Sequence, residues 1–366
     1  MSRLDSLDWL RGLLALSIMV YHLTGWTLDH PRSNDLLGRL GIYGVSMFFI
    51  LSGLAMAAGY ANYICNARTA AKFFVRRIFR IWPLLWLAVA AVVVGDVAIK
   101  GKAVDWALVL LNLTTAFGFV NPGAYINTGA WSIGNEMVYY ALTPLLLAIY
   151  NRSLRTGNAV FALTVAMGAG FAFWGLSAAA TLASQWAIYI HPFNNLFLFT
   201  VGVALYYNTH ALTLRPINTL LLLITSVALF TFYPADGDLI TIVTGSNRFV
   251  FCTASILCVL AFYKTTARPP RWIAAPLAAL GAATYGVYLL HPIVFPAVAL
   301  ASKRLGLPLD PMETAAATVL ITIALALFAY ERLELPLIRI GKRLTDQSRP
   351  ASDFVALTAA ESTRKL

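Results

Sequence analysis

The chain has 366 residues, 59% of them hydrophobic and 12% charged, with a formal net charge of +11 and a mean hydropathy of +0.72. Ordinary soluble domains carry about 25% charged residues, so this composition excludes a soluble globular protein and points to one integral membrane domain. The basic residues fall in short clusters between apolar runs, without the basic stripe and interleaved aromatics of a nucleic-acid binder; they read as topology signals, and no nucleic-acid partner is expected. Cys65, Cys252 and Cys258 have no framework spacing, so neither disulfides nor a metal site is expected.

A helix needs roughly 20 mostly apolar residues to cross a hydrocarbon core of about 30 Å. Such runs recur at 8–28, 41–60, 78–99, 131–150, 158–180, 193–208, 216–234, 247–264, 275–300 and 313–337. They predict an all-α integral membrane protein, a polytopic bundle of about ten transmembrane helices. No small-residue cleavage site follows the first run, so it is expected to stay as a helix and not to be removed as a signal peptide. The run 105–120 is shorter and leads into NPGAYINTGA, which makes it interfacial or re-entrant.

With the N-terminus inside, 20 of the 27 Lys and Arg residues fall on the cytoplasmic side and seven (Arg32, Arg39, Lys100, Lys102, Arg248, Lys303, Arg304) on the other. The positive-inside rule therefore predicts that both termini are cytoplasmic; the location expected for this multi-pass protein is the cell (inner) membrane. The membrane domain is expected over 1–344. The polar, Ser/Thr/Ala-rich remainder, 345–366, is expected to be a disordered cytoplasmic tail, with no soluble catalytic domain appended.

Ionisable groups inside spans cost a few kcal/mol or more to insert and are functional-site candidates by default. In chain order the first are Asp8, Arg11 and His22. At 100° per residue Arg11 and His22 share one helix face about 16 Å apart along the axis, in opposite halves of the bilayer, and Asp8 is within ion-pairing reach of Arg11. The plain structural readings are a helix-start ion pair for Asp8–Arg11 and an interhelical hydrogen bond for His22. Next comes RRIFRIWP with Arg76, Arg77 and Arg80, whose guanidinium forks suit a polyphosphate, although an ordinary positive-inside cluster is the stronger reading of that stretch by itself.

Glu136, in GAWSIGNEMVYYAL, and His291, in TYGVYLLHPIVF, fall in the outer half by residue count. Three spans would thus bring His22, Glu136 and His291 to similar depth, as a buried acid/base constellation requires. Glu136 could equally hold a structural hydrogen bond. An interfacial histidine at a helix irregularity made by Pro292 outweighs the catalytic reading of His291. Ser52, in ILSGLA, lacks a Gly-x-Ser-x-Gly context and reads as a small packing residue beside Gly53.

Taken together, RLDSLDWLRGLLALSIMVYHL, GVSMFFILSGLAM, RRIFRIWP, AWSIGNEMVYY, YGVYLLHP and ERLELP resemble, in order, the sequence elements of the acyltransferase 3 family of integral membrane O-acyltransferases. The resemblance runs from residue 3 to about 340 and includes Glu334 and Pro336. It implies ten helices, a cytoplasmic acyl-coenzyme A donor, most simply acetyl-CoA, and no permanently bound cofactor. The acceptor it implies is a hydroxyl of an extracytoplasmic or exported carbohydrate such as an exopolysaccharide or lipopolysaccharide.

Carried over by motif, His22 is the catalytic histidine, Arg11 its basic partner, Arg77 and Arg80 (with Arg76 beside them) donor-binding arginines, and Glu136 a functional acid. Asp8 and His291 are supporting residues. His22 would act as general base, with Glu136 a candidate to orient it, while an acyl-histidine intermediate is the competing route. Without a second catalytic domain, direct transfer is the expected route. A saccharide or lipid transporter or flippase could use the same buried polar groups, but the halves show no inverted repeat. The asparagine/histidine type of membrane-bound O-acyltransferase lacks its sequence context here. The acyl chain, the acceptor and the oligomeric state, a homo-oligomer included, stay open.

Overall fold

The computed structural model describes residues 5–267 and 269–346. Every regular element among them is helical: α1 (Asp5–Thr27), α2 (Leu36–Tyr60), α3 (Ala67–Lys100), the short α4 (Trp106–Leu113) and α5 (Phe117–Val120), α6 (Ala130–Arg152), α7 (Leu154–Gly170), α8 (Trp186–Tyr189), α9 (Pro192–Thr209), α10 (Pro216–Phe232), α11 (Ile240–Val243), α12 (Gly245–Lys264), α13 (Arg271–Ala282), α14 (Thr284–Arg304), α15 (Pro311–Ala329) and α16 (Leu335–Asp346). Six helices are long and apolar enough to cross a membrane, or seven if α8 and α9, bent by 57° at their junction, form one broken span. The chain is a multi-pass membrane protein.

Length and apolarity thus support fewer spans than the ten expected, and the shortfall has physical causes. Helices α1 and α6 each have 23 residues, but Asp8, Arg11 and His22 on one and Asn135 and Glu136 on the other dilute their apolarity. Helix α10 has only 17 residues. Helices α4 and α5, of eight and four residues, fall well short of a crossing, as the interfacial or re-entrant reading anticipates.

Several boundaries move. Helix α3 begins at Ala67, so RRIFRIWP lies within a continuous helix instead of just before one. The run 275–300 is two helices, α13 and α14, separated at Ala283. A turn of π-helix, Tyr330–Glu334, joins α15 to α16, and α16 continues past residue 344 to Asp346 with Thr345 buried. The rest of the expected tail, 347–366, lies outside the described residues.

Helix α2 is the centre of the bundle: 78% of its apolar window is buried, against 22–39% in the other spans. Its crossing with α9 brings backbones into contact. A Cβ on Gly53 would stand 2.0 Å from the Phe199 carbonyl oxygen, and one on Gly202 would stand 2.0 Å from that of Ile50. Where lipid competes as an apolar partner, such close approach of small residues is what drives helices together.

Two buried arginines complete the frame without any carboxylate. Arg39, 2% exposed, donates to the carbonyls of Ser33, Phe230, Thr231, Tyr233 and Ala235 at 2.6–3.3 Å. It thereby takes up carbonyls at the C-terminal end of α10 that have no helical donor. Arg248 donates to the side chain and carbonyl of Asn194 at 2.6 and 2.9 Å.

The bend between α8 and α9 is supported in the same way. The Tyr189 carbonyl accepts from Asn194 and Asn195 at 2.7 and 2.8 Å, Ile190 from Asn135 at 3.0 Å, and Pro192 from Tyr139 at 2.8 Å. Broken helices are tolerated at membrane depth where protein groups replace the missing backbone bonds.

Candidate active site

Helices α1, α2, α6 and α14 border two neighbouring cavities. One, of about 340 Å³, is lined by Arg11, Arg77, Arg80, Ser52, Glu136 and Tyr140 among others; we call it the arginine cavity. The other, of about 1570 Å³, is lined by His22 with Trp26, Trp131, Trp186 and Tyr189; we call it the histidine cavity. Val45 and Tyr288 line both.

In the histidine cavity, α1 and α14 bring His22 and His291 together: Nδ1 of His22 lies 2.9 Å from Nε2 of His291. The rings stack with centroids 5.1 Å apart, and Trp26 stacks on both, at 5.4 and 5.9 Å. Nδ1 of His291 is 2.9 Å from the carbonyl oxygen of Val287. A carbonyl can only accept, so this nitrogen carries the hydrogen, and in a neutral His291 Nε2 is then the acceptor. His22 must therefore donate through Nδ1–H, which leaves its Nε2 with a free lone pair on a side chain that borders the cavity. That tautomer is the one a general base needs. His291 is 1% exposed and lies inside an α14 that continues through Pro292; the interior position replaces the interfacial one that sequence favoured.

In the arginine cavity, Arg11 is tied to Asp8 at 3.0 Å. Arg77 donates to the Tyr60 hydroxyl at 2.8 Å. Its guanidinium also lies over the rings of Tyr60, Phe73 and Tyr140 at 5.2–5.9 Å, a favourable desolvated setting for a cation. Its buried Nε has no hydrogen-bond partner among the described residues. Arg80 is the exposed member of the set.

Glu136 accepts from Ser52 at 2.7 Å and from Tyr140 at 2.5 Å on the same oxygen. Ser52 is thus a polar partner of the acid as well as a neighbour of the α2–α9 crossing, a role its local sequence does not signal.

Two expectations about grouping are corrected. Glu136 does not join His22: the two line different cavities. Helix α6 begins inside the protein, with Asn127 and Ala130 at 1% and 0% exposure. Arg76 is not among the residues lining the arginine cavity. It bonds Thr345 at 2.7 Å and Asp346 at 2.8 Å, joining α3 to α16, and its guanidinium lies over Tyr63.

The arrangement sets Arg11, Arg77 and Arg80 on one side of a shared wall and the His22 imidazole on the other. The family model described as an acyltransferase domain, that of acyltransferase 3, matches residues 4–331. The chain is 25% identical over 321 residues to a protein of Komagataeibacter xylinus named a membrane-bound transacylase, BcsY, covering 79% of this chain and 72% of that one. It is 27% identical over 187 residues to nodulation protein 10 of Rhizobium leguminosarum bv. viciae, covering 43% and 48%. It is 24% identical over 393 residues to a protein of Bacillus subtilis named a peptidoglycan O-acetyltransferase, YrhL, covering 93% and 56%. The chain therefore spans about half to three quarters of the length of these relatives. No solved structure is significantly similar. With a match across nearly its whole length and relatives named for acyl transfer, the chain belongs to the acyltransferase 3 family of membrane-bound acyltransferases.

Proposed function

We propose that the protein moves an acyl group, most simply acetyl, from acyl-coenzyme A at the arginine cavity to a carbohydrate hydroxyl in the histidine cavity. The observation that carries this reading is the pair of cavities meeting at Val45 and Tyr288, with Arg11, Arg77 and Arg80 lining one and His22, hydrogen-bonded to buried His291, lining the other. Arg77 and Arg80, with Arg11 deeper in, would hold the coenzyme's phosphates by charge-assisted hydrogen bonds, and the narrow cavity suits its thin thiol arm.

In the reaction, Nε2 of His22 takes the proton of the acceptor hydroxyl as its oxygen attacks the thioester carbonyl carbon. The C–S bond breaks, and the leaving thiolate recovers the proton from His22. His291, itself held by the Val287 carbonyl, fixes the His22 ring and tautomer. Glu136, bonded to Ser52 and Tyr140, acts on the donor side.

Placement in the cell inner membrane, with both termini and the arginine cavity facing the cytoplasm, belongs to the same proposal. Its support is the asymmetry of basic residues, 20 on the cytoplasmic side against seven on the other. Of those seven, Arg39 and Arg248 are buried and hydrogen-bonded, and Lys100 and Lys102 pair with Asp96.

The test is direct. Purified protein in lipid receives acetyl-CoA labelled in the acetyl group together with a panel of neutral and acidic oligosaccharides, and mass spectrometry follows the label. Acylated glycan with release of free coenzyme A is expected; no acyl transfer to any carbohydrate overturns the assignment.

A further inference from the structure

Two side chains, Val45 and Tyr288, line both cavities. On α6, Trp131 faces the histidine cavity and the next residue, Ser132, the arginine cavity; on α2 the change falls at Val45, and on α14 at Tyr288. The Tyr288 hydroxyl is seated in a notch. It lies 3.0 Å from the Ser132 hydroxyl and 3.1 Å from the Gly129 carbonyl oxygen, which is itself 3.0 Å from the Ser132 hydroxyl; with one hydrogen each, one of the two hydroxyls donates to the carbonyl and the other donates to that hydroxyl.

Gly129 makes the notch possible on two counts. Its φ of +86° is a conformation that side chains rarely adopt, and a Cβ there would meet the Tyr288 ring tip at 3.1 Å. The same ring stands edge-on to His291, centroids 6.2 Å apart, one helical turn before it. Tyr288 therefore touches the histidine that holds His22.

We propose that Tyr288, latched by Ser132 and Gly129, is the partition between the donor and acceptor chambers and the positioning residue that decides when they connect. While it is seated, water in the large cavity is kept from a thioester arriving through the small one. The acceptor's entry beside the histidine pair is the event that unseats it. This catalytic consequence rests on the proposed acyl transfer, whereas the partition itself does not. Without the partition, water adds to the thioester carbonyl carbon, the C–S bond breaks, and free carboxylic acid and coenzyme A thiol result with no acceptor modified.

Two readouts test the two parts separately. Ala55 lines only the arginine cavity. In reconstituted vesicles, an impermeant cationic methanethiosulfonate is presented from the histidine-cavity side to the Ala55→Cys protein, and modification is read peptide by peptide. Exposed Cys65, in the turn that leads into the helix carrying Arg76, reports leakage of the reagent to the opposite side, and buried Cys252 reports unfolding.

Ala55→Cys should be protected with Tyr288 in place. The expected order of labelling is Tyr288→Ala fastest, then Tyr288→Phe, then the parent. Ser132→Ala should speed labelling about fivefold, the equivalent of one hydrogen bond of about 1 kcal/mol. Acceptor-free hydrolysis of acetyl-CoA should rise in the same order. Equal labelling in all four proteins overturns the partition; if Cys252 reacts in Tyr288→Ala, Tyr288→Phe and Ser132→Ala decide in its place. Ordered labelling with no acyl chemistry in any of them keeps the partition and sinks the transfer reaction.

Discussion

The two cavities hold their polar groups by opposite means. In the small one, of about 340 Å³, charge is fixed by direct contact: Arg11 on Asp8, Arg77 on Tyr60 and between aromatic faces, Glu136 on Ser52 and Tyr140. The large one, of about 1570 Å³, is lined by aromatic side chains, by Asp29, Arg32, Asp35 and Asp238 near its loops, and by His22, whose ring is held from behind by the buried His291. On the proposed function this is the difference between an invariant donor and a bulky acceptor. A polyphosphate head group is the same in every turnover and rewards rigid guanidinium forks. A glycan needs room, and only one of its hydroxyls must meet a base.

Substitutions that act on one side only are the way to break or sharpen this contrast. The largest effect is expected for His22→Ala, a loss of about 10²- to 10⁴-fold in turnover, the range of general acid–base contributions. Acyl-CoA affinity and membrane insertion should be unchanged, and transfer kinetics alongside donor binding to the same preparation check this. Arg77→Ala combined with Arg80→Ala should do the reverse. It should raise the apparent Michaelis constant for acyl-CoA by about 10- to 100-fold, as for loss of charge-assisted bonds, with little change in turnover; an unchanged donor constant returns the cluster to topology alone.

His291→Ala removes the acceptor of the His22 Nδ1–H bond. It should slow turnover by about 5- to 100-fold, the cost of an orphaned buried donor, with part of the rate regained in His291→Gln. The smallest effect belongs to Arg76→Ala. Its partner Asp346 is largely exposed, such ion pairs are worth about 1 kcal/mol or less, and the donor constant should stay within about twofold. That neighbour-to-neighbour difference, Arg76 against Arg77, is the sharpest single check on the donor site.

How far these roles were legible in sequence follows from where each partner lies. His22 announces itself because an imidazole in an apolar run is costly wherever it points. Asp8–Arg11 is a local pair and was readable as one. His291 is undervalued by sequence because Pro292 beside it suggests a helix irregularity, whereas α14 continues through Pro292 and buries the ring. The Arg76–Asp346 pair spans 270 positions and the Ser52–Glu136 bond 84; no local pattern encodes either. Arg76 and Arg77 differ by 100° of helix rotation, enough to separate a helix clamp from a cavity wall once a packing partner is known. Part of the shortfall in apolar spans is of the same kind, since α1 and α6 lose apolarity through the site residues they carry, whereas α10 is simply short.

Arg39 also has a history during synthesis. Its nearest carbonyl partner on α10, Phe230, follows it by 191 positions in the chain, and at about 5–20 residues per second that is roughly 10–40 s of translation. For that interval the start of α2 holds a cation with none of its α10 acceptors made. A buried guanidinium without partners is costly, so this end of α2 gains its full set of hydrogen bonds only when α10 has been made. The central helix of the bundle is thus among the first made but is not locked at this end until well over half of the chain exists, and a chain stalled before residue 230 would lack the α10 acceptors of Arg39.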